Sequence, residues 1–309
     1  MPIHVLQLCA LTLDLERALT ERFVVHRWFA AHDPDGFLTA YGDKIRAVIT
    51  GGHLGIPNEL AARLPALEIV AINGVGFDKV DLAQAETRGI RVTNTPDVLT
   101  DDVADLAIGL TVALLRRIPQ ADRHVRDGRW PEGEAPLARK VSAQRFGILG
   151  LGRIGKAIAR RLEGFGVPIA YTDLAPQDVA YPFHPTPTAL AAAVDVLIVA
   201  AAAGTQPLID EAVLDALGPE GVLVNVARGS LVDEPTLVAA LREGRIAGAA
   251  LDVFAAEPQV PEALRALTNV VLTPHVASAT TDTRRAMAQL VLANLDAHFA
   301  GRPLPTAVV

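Results

Sequence analysis

Three side chains near the end of the chain have the types and spacing that hydride chemistry requires. Arg228 lies in NVARGSLVDE, Glu257 in LDVFAAEP and His275 in LTPHVAS, all within about fifty residues. A guanidinium can hold a carboxylate through two hydrogen bonds, and an imidazole can exchange a proton near neutral pH. Upstream, GLGRIG at positions 150 to 155 has the glycine spacing of a dinucleotide-binding turn. The combination suggests hydride transfer.

The glycine-rich segment predicts a turn that binds a pyrophosphate. In RFGILGLGRIGKAIARRL, an apolar strand leads into Gly150, Gly152 and Gly155, and a helical pattern follows. The first glycine permits a tight turn, the second lets the backbone approach a pyrophosphate, and the third allows close packing of helix on strand. The amide groups at the helix start would face the phosphates, and Arg153 could add a positive charge. Without the flanking strand and helix the motif would be weak.

Asp173 bears on the choice of nicotinamide cofactor. It ends the next predicted strand, about 20 residues beyond the glycines, where an acidic residue binds the ribose 2′-hydroxyl. Its charge would repel a 2′-phosphate, and Leu174 beside it offers no guanidinium to bind one. NAD is therefore the predicted cofactor, with NADP as the alternative. Ile154, inside the glycine motif, is also expected to contact it.

Arg228, Glu257 and His275 match the needs of 2-oxo acid reduction. The reaction requires a cation for the carboxylate, a proton donor for the carbonyl oxygen, and a nicotinamide about 3 to 3.5 Å from the carbonyl carbon. Arg228 and His275 each follow a predicted strand, where parallel sheets bind ligands. An ordinary imidazole has a pKa of about 6.5, so a carboxylate such as Glu257 would favour its charged form.

Each of these residues also has an ordinary structural interpretation. A loop arginine is usually a surface charge, and Glu257 before Pro258 could belong to a turn. A single histidine is more often packed or exposed than catalytic. The other seven histidines are read that way, although His53 in TGGHLG could meet the substrate. Because no two histidines have the spacing of a zinc protease, no metal site is predicted.

Composition predicts a cytoplasmic protein. The chain has 309 residues, of which 50% are hydrophobic and 20% charged, enough for two folded domains. A net charge of -7 and a pI near 5.6 disfavour nucleic acid as a partner. Cys9 alone forms no internal disulfide, and no signal peptide is recognised. Asp195 interrupts the most apolar stretch, ALAAAVDVLIVAAAA, so no membrane segment is predicted.

Short apolar runs alternate with helical patterns, which predicts an α/β fold with two doubly wound parallel-sheet domains, Rossmann-like or flavodoxin-like, and a cleft between them. In the first third, the predicted strands are Ile3 to Leu8, Val24 to Arg27, Ala47 to Thr50, Glu68 to Ile72 and Arg91 to Thr93. In the second series they are Arg145 to Leu149, Pro168 to Tyr171, Val194 to Ala200, Gly221 to Asn225, Ala247 to Leu251 and Asn269 to Thr273.

Two helical patterns set the expected domain boundaries. One begins near Thr100, where aspartates favour a helix start, and Pro119 interrupts or kinks it. The other, Thr281 to Phe299, has no strand after it and is expected to pack back on the first domain. The expected domains are residues 1–98 with 278–309 for substrate binding, and residues 99–277 for NAD(P) binding.

The chain resembles the D-isomer-specific 2-hydroxyacid dehydrogenases over nearly its whole length. The matching segments are NGVGFDKVD, TNTPDVLTDDVADLAIGL, GILGLGRIGKAIA, NVARGSLVDE, GAALDVFAAEP and TPHVAS, in this order. Within that family, the second of these and the ending NLDAHFAGRPLPTAVV are similar to the branch of glyoxylate, hydroxypyruvate and hydroxyphenylpyruvate reductases. The resemblance implies NAD(P)-dependent reduction of such 2-oxo acids to D-2-hydroxy acids.

The resemblance also implies roles for individual residues. Arg228 matches the substrate-binding arginine, Glu257 the glutamate that tunes the histidine, and His275 the acid/base, the first and last also lying next to the cofactor. The other matches are Val75 and Gly76 in the loop whose amides bind the substrate carboxylate, Leu54 near the substrate, Asp252 at the nicotinamide carboxamide, and Val226 and Ala227 along the cofactor. The helix from Thr100 and the loop around Trp130 match the arm that joins two subunits, so a homodimer is expected, although Trp130 could instead pack within its own subunit.

The sequence departs from the family pattern at two places, and an alternative function and the preferred substrate stay open. Many NADP-using members of the branch carry Ser-Arg or Asn-Arg where this chain has Asp173 and Leu174, and VAAAAGTQPLID is shorter than the usual loop there. Glu257 disfavours formate oxidation, since formate dehydrogenases of this fold have glutamine there. Transcriptional corepressors resembling the family keep the same residues, so a nicotinamide-sensing binding protein is the alternative function. The preferred 2-oxo acid stays undecided.

Overall fold

A computed structural model describes residues 2–309, which form two compact α/β units. The first consists of the residues up to Leu99 together with Ala279–Val309, and the second is Thr100–Ser278. Each unit contains one sheet whose strands are all parallel. The fold predicted from the sequence, with two doubly wound parallel sheets, is confirmed.

The first unit is built on a five-stranded sheet. The strands are β1 (His4–Gln7), β2 (Val24–Arg27), β3 (Ile45–Gly51), β4 (Ile69–Asn73) and β5 (Arg91–Thr93), in the order β2-β1-β3-β4-β5. The helices between them are α1 (Leu13–Thr20), α2 (Pro34–Tyr41), α3 (Asn58–Ala62) and α4 (Leu82–Thr87). This is the strand order of a flavodoxin-like sheet.

Both faces of this sheet are covered, because its strands carry apolar residues on both sides. Leu6, Val48 and Val70 belong to one buried cluster, whereas their neighbours Val5 and Ala47 belong to another. Successive positions in these strands are therefore largely apolar. This pattern allowed the sheet to be predicted with helices on both of its faces.

The second unit is built on a six-stranded sheet. The strands are β6 (Phe146–Leu149), β7 (Ile169–Thr172), β8 (Val196–Val199), β9 (Val222–Asn225), β10 (Gly248–Leu251) and β11 (Val270–Leu272), in the order β11-β10-β9-β8-β6-β7. The helices are α5 (Thr100–Leu115), α6 (Ile118–Arg126), α7 (Arg153–Glu163), α8 (Pro187–Ala191), α9 (Glu211–Leu217), α10 (Glu234–Glu243) and α11 (Glu262–Arg265).

The strand order places a ligand-binding crevice at the first strand of the second unit. β6 pairs with β7 on one side and with β8 on the other, so the chain changes direction across the sheet at β6. A single parallel bridge between Tyr171 and Phe183 extends the sheet beyond β7, which completes the order of a Rossmann fold. Parallel sheets bind ligands at the carboxyl ends of the strands next to such a reversal.

The long helical pattern after Thr100 is divided just before Pro119. Helix α5 ends at Leu115, Arg117 has a left-handed φ of 53°, and α6 begins at Ile118. Proline is tolerated in the first turn of a helix, where its missing N–H has no partner to lose. Pro119 therefore lies at the start of the second helix instead of kinking a continuous one.

The last helix, α12 (Thr281–Phe299), belongs to the first unit. Its buried residues Ala288, Val291 and Leu295 pack in the cluster that contains Val5 and Ile49 of the sheet. Within residues 2–309, no helix has both the length and the apolar content needed to cross a bilayer.

Candidate active site

The turn between β6 and α7 has the backbone geometry that a dinucleotide site requires. Gly150 has a φ of +91°, and a Cβ there would lie 2.5 Å from the Cα of Ala201, so no larger residue fits. A Cβ on Gly155 would lie 2.1 Å from the carbonyl oxygen of Gly150, which keeps α7 close to the strand. By contrast, apart from Gly152 itself and its two neighbours in the chain, no atom of residues 2–309 lies within 4 Å of the corresponding position on Gly152. The open side of the turn and the start of an 11-residue helix fit a pyrophosphate.

Asp173 lies beside this turn, at the end of β7. Its Oδ2 accepts hydrogen bonds from the amide of Leu151 at 2.9 Å and from Nε2 of Gln177 at 2.7 Å. Its Oδ1 accepts one from the amide of Leu174 at 2.7 Å, and the Leu174 side chain is fully exposed. The carboxylate is therefore held against the glycine turn. The sequence did not reveal Gln177, because no local pattern marks it.

Asn225 fixes the turn that carries Arg228. At the end of β9, its buried side chain donates from Nδ2 to the carbonyl of Arg228 at 2.9 Å and accepts at Oδ1 from the amide of Ala227 at 3.0 Å. Nη1 of Arg228 donates to the Ala227 carbonyl at 2.8 Å, and the side chain is half-buried. Val226 is buried in the same turn. The guanidinium is thus presented by a turn with little freedom to move.

The next residue, Gly229, brings the Arg228 turn against the loop after β10. A Cβ on Gly229 would lie 2.0 Å from the carbonyl carbon of Phe254, so only glycine allows this approach. The amide of Phe254 donates to Oε1 of Glu257 at 3.0 Å. One close backbone contact therefore joins the loop of Arg228 to the loop of Glu257.

Glu257 and His275 form a short polar contact in the predicted site. Oε2 of Glu257 lies 2.6 Å from Nδ1 of His275, and the two side chains are 21% and 33% exposed. With Nδ1–H assigned as the donor, the carboxylate orients the ring and stabilises its positive charge. A partly buried pair at this distance interacts more strongly than a surface ion pair. The structure thus brings together the two residues that sequence reasoning paired.

Asp252 holds the backbone segment that contains His275 in place. His275 has a left-handed φ of 52°, a conformation that costs about 1 kcal/mol or more in a residue other than glycine. Its amide donates to the Asp252 carbonyl at 2.8 Å. The Asp252 carboxylate accepts from the Thr273 hydroxyl at 2.6 Å and from the amides of Val276 and Ala277, each at 2.9 Å. Asp252 is completely buried in these bonds, and its contact with a nicotinamide stays a prediction.

Three neighbouring strands bring these loops together. Arg228 follows β9, Glu257 follows β10 and His275 follows β11, and the three strands are adjacent in the sheet. Since adjacent strands lie about 4.8 Å apart, the three loops start within about 10 Å of one another along one edge. The same carboxyl edge carries the glycine turn after β6 and Asp173 after β7.

The remaining predicted site residues lie in the first unit. Leu54 follows β3, where its amide donates to the Gly51 carbonyl at 3.1 Å, and its side chain is 40% exposed. Val75 and Gly76 follow β4 and are half-buried. All three lie at the carboxyl ends of their strands, the side of a parallel sheet that binds ligands.

No group of three or more histidine, cysteine, aspartate or glutamate side chains among residues 2–309 is arranged to hold a metal ion.

Comparison with known proteins shows the family to which the chain belongs. The model of the D-isomer specific 2-hydroxyacid dehydrogenase NAD-binding domain matches residues 108–277. The chain belongs to this family. It is 51% identical to glyoxylate/hydroxypyruvate reductase A of Arabidopsis thaliana and 50% identical to hydroxyphenylpyruvate reductase of Plectranthus scutellarioides, with 99% of each chain covered in both cases. These relatives fall in the reductase branch that the motifs indicated.

A solved structure extends the comparison to three dimensions. The NADPH-dependent glyoxylate/hydroxypyruvate reductase of Sinorhizobium meliloti, in complex with NADP and malonate, has a TM-score of 0.94 and 46% identity to this dehydrogenase. The match covers 100% of this chain and 97% of that one. The family and fold establish a nicotinamide dinucleotide as the cofactor class.

Proposed function

We propose that this dehydrogenase reduces small 2-oxo acids, with glyoxylate, hydroxypyruvate and aryl pyruvates as the candidates, to D-2-hydroxy acids. The observation that carries the proposal is the 2.6 Å contact between Glu257 and His275 at the carboxyl edge of the cofactor-binding sheet. A carboxylate that orients an imidazole beside a nicotinamide site is suited to proton exchange with a substrate oxygen. The second unit would bind the cofactor and the first unit the substrate.

In the proposed mechanism, Arg228 binds the substrate carboxylate through its planar fork and polarises the neighbouring carbonyl. The cofactor, when bound, supplies the hydride that forms the new C–H bond. His275 gives a proton from Nε2 to the carbonyl oxygen, and Glu257 stabilises the imidazolium before that transfer. Hydride and proton together convert the C=O group to CH–OH, and the imidazole regains its proton from solvent. In the reverse direction the neutral ring accepts the hydroxyl proton.

Three residues of the first unit complete the proposed substrate contacts. The amide groups of Val75 and Gly76 would bind the substrate carboxylate, and Leu54 would contact the substrate. Backbone amides suit this task because they are fixed donors that do not ionise near neutral pH.

Turnover of a substrate panel tests the proposal. Glyoxylate, hydroxypyruvate, pyruvate and phenylpyruvate are each offered with NADH and with NADPH, and cofactor absorbance is followed. We expect at least one acid to be reduced with a kcat of about 1 s⁻¹ or more, within the usual range for enzymes. Binding of NADH without turnover of any acid would instead favour a nicotinamide-sensing protein.

We propose NADH as the preferred cofactor, in contrast to the NADPH-dependent relative from Sinorhizobium meliloti. The support is the position of Asp173 against the glycine turn, where its charge would repel a 2′-phosphate. The exposed side chain of Leu174 brings no compensating cation. NADP would then bind only weakly.

Exchange of these two residues should reverse the preference. In a variant with Asp173→Ser and Leu174→Arg, a repulsive charge is removed and a guanidinium is added. If each change contributes about 1.4 kcal/mol, the ratio of kcat/KM for NADPH over NADH should rise by about 100-fold. Leu174→Arg alone is the control and should give about 10-fold, because the carboxylate is retained. An unchanged ratio in the double variant would show that Asp173 does not face the ribose.

We propose that the protein is a homodimer joined through the arm, which is the helical stretch from Thr100 together with the loop around Trp130 (residues 100–137). The arm carries four exposed apolar side chains, which are Ile118 at 49%, Val125 at 55%, Trp130 at 65% and Leu137 at 93%. Helix α6 itself has no buried residue. A cluster of exposed apolar residues that includes a tryptophan is typical of a protein interface.

Trp130→Ala should weaken the dimer. A tryptophan at the centre of an interface contributes about 2 kcal/mol or more, so the dissociation constant should rise by roughly thirty-fold. Sedimentation velocity over a concentration series measures it. Leu13→Ala is the control, since Leu13 is 81% exposed and lies outside the arm. A monomeric unchanged protein, or equal dissociation constants for the three proteins, would contradict the proposal.

Two further features of the proposal rest on composition. With a net charge of -7, the protein is proposed to act without a nucleic-acid partner. With Cys9 as its one cysteine it needs no oxidising compartment, so the cytoplasm is the proposed location.

A further inference from the structure

The loop that contains Val75 and Gly76 is tied to the segment after β5 by two hydrogen bonds. Nδ2 of Asn94 donates to the carbonyl oxygen of Val75 at 2.8 Å. The amide of Thr95 donates to the carbonyl oxygen of Gly74, also at 2.8 Å. Both bonds lie within the first unit, and Asn94 is buried. Two successive carbonyl groups of the loop therefore point toward β5.

These two bonds determine where the amide groups of the loop point. In a trans peptide the C=O and N–H groups are coplanar and directed oppositely. The Val75 carbonyl shares its peptide with the Gly76 amide, and the Gly74 carbonyl shares its peptide with the Val75 amide. Fixing both oxygens toward Asn94 and Thr95 therefore turns both N–H groups away from β5. Within residues 2–309, neither amide donates a backbone hydrogen bond.

Asn94 is itself held firmly by the end of the chain. The Thr306 hydroxyl donates to the Asn94 carbonyl at 2.6 Å and accepts from Nδ2 of Asn294 at 2.7 Å. The Thr306 amide donates to Oδ1 of Asn294 at 3.1 Å, and Asn294 is completely buried in α12. A buried network in which the groups satisfy one another holds its members in one arrangement. Asn94 thus presents its amide to Val75 in a fixed position.

We propose that Asn94 is a positioning residue that turns the Val75 and Gly76 amides toward the substrate carboxylate. The inference rests on the proposed function, in which these two amides bind that carboxylate. Asn94 acts through the loop and does not itself contact the substrate. It falls outside the residues that sequence reasoning selected, because nothing in TNTPDV marks a side chain bonded to residue 75.

Asn94→Asp tests this role with almost no change in size. The amide donor is replaced by a carboxylate oxygen, which repels the Val75 carbonyl and should turn the peptide. We expect the KM for hydroxypyruvate to rise at least 10-fold, and kcat at saturating substrate to fall by a smaller factor. The dissociation constant of oxamate, a planar 2-oxo acid analogue, should rise at least 10-fold in the presence of NADH. The dissociation constant of NADH itself should stay within about 2-fold.

A matched control separates positioning from general loss of stability. Arg88 also satisfies carbonyl groups of the first unit, donating to Ala61 at 2.7 Å and to Leu64 at 2.8 Å. Arg88→Met removes both bonds without touching the Val75 loop, so oxamate binding should stay within about 2-fold. If the aspartate variant does not fold, oxamate binding is measured with Asn94→Ala instead, because this variant removes the donor without adding a charge.

The outcomes distinguish this inference from the proposed function. If neither Asn94 variant weakens oxamate binding more than Arg88→Met does, the inference is wrong, although the unchanged protein still reduces 2-oxo acids. If the unchanged protein binds oxamate with NADH but reduces no 2-oxo acid, the proposed function fails, and the ratio of oxamate dissociation constants still decides the inference. Absence of oxamate binding to the unchanged protein would overturn the inference, whereas turnover of the substrate panel would still decide the proposed function.

Discussion

Replacement of Arg228 with alanine should lower kcat/KM for 2-oxo acids by roughly 10³-fold. A hydrogen bond to a charged group contributes about 1.5 to 3 kcal/mol, so loss of both hydrogen bonds from the guanidinium to the substrate carboxylate removes about 4 kcal/mol. The turn itself should survive, because Asn225 holds it through the Ala227 amide and the carbonyl of residue 228. Steady-state rates with glyoxylate and hydroxypyruvate measure the effect.

Two further variants sharpen this prediction. Arg228→Lys keeps the charge but loses the planar fork, so an intermediate loss of activity is expected. Arg242→Ala removes an exposed guanidinium from α10 and should leave the rate unchanged. If Arg228→Ala stays within a few-fold of the unchanged protein, the guanidinium does not bind the substrate carboxylate.

Replacement of His275 with asparagine should lower kcat by about 10² to 10⁴-fold, the usual contribution of a positioned acid or base. Asparagine is the suitable substitute because residue 275 has a φ of 52°, and asparagine tolerates the left-handed region better than most residues. The backbone bonds to Asp252 can then persist. Binding of NADH should change little, so stopped-flow reduction and cofactor titration together separate chemistry from binding. Retention of a tenth or more of the activity would mean that another group supplies the proton.

Replacement of Glu257, the partner of His275, should have a smaller effect of the same kind. Glu257→Gln keeps the size and a hydrogen-bond acceptor but removes the charge 2.6 Å from the ring. The ring is then held by a weaker, neutral hydrogen bond, so kcat for 2-oxo acid reduction should fall by about 10-fold, less than in His275→Asn. Oxidation of the hydroxy acid should lose a similar factor, because the same ring exchanges the proton in both directions. Rates equal to those of the unchanged protein in both directions would mean that the carboxylate does not act on His275.

The strands of both sheets could be predicted because their signal is local. All eleven lie within two residues of the positions that apolar runs indicated, since parallel strands buried on both faces need continuous apolar sequence. The helix Thr281–Phe299 has the predicted bounds. The same reasoning placed Arg228 and His275 at carboxyl ends of strands, because the end of an apolar run marks that edge directly. Glu257 was selected only as a carboxylate that would favour the charged form of the histidine.

The residues that hold the site in place could not be predicted in the same way. Asn225 and Asn94 act through hydrogen bonds whose partners follow from the fold and have no sequence signature of their own. Asp252 was predicted to contact the cofactor, but its bonds to the segment around His275 were not. The left-handed backbone of His275 also went unforeseen, because glycine or asparagine is expected in that conformation. Sequence pattern therefore indicates the candidate catalytic side chains, whereas the bonds that orient them emerge only from the structure.

Reduction of hydroxypyruvate by the unchanged protein tests the central claim most directly. NADH consumption is followed together with the amount and handedness of the glycerate formed, and His275→Asn is measured in parallel. We predict one D-glycerate for each NADH consumed, at a rate that the variant loses. NADH that binds but is not consumed with hydroxypyruvate or glyoxylate, or a product of L configuration, would contradict the proposed reaction.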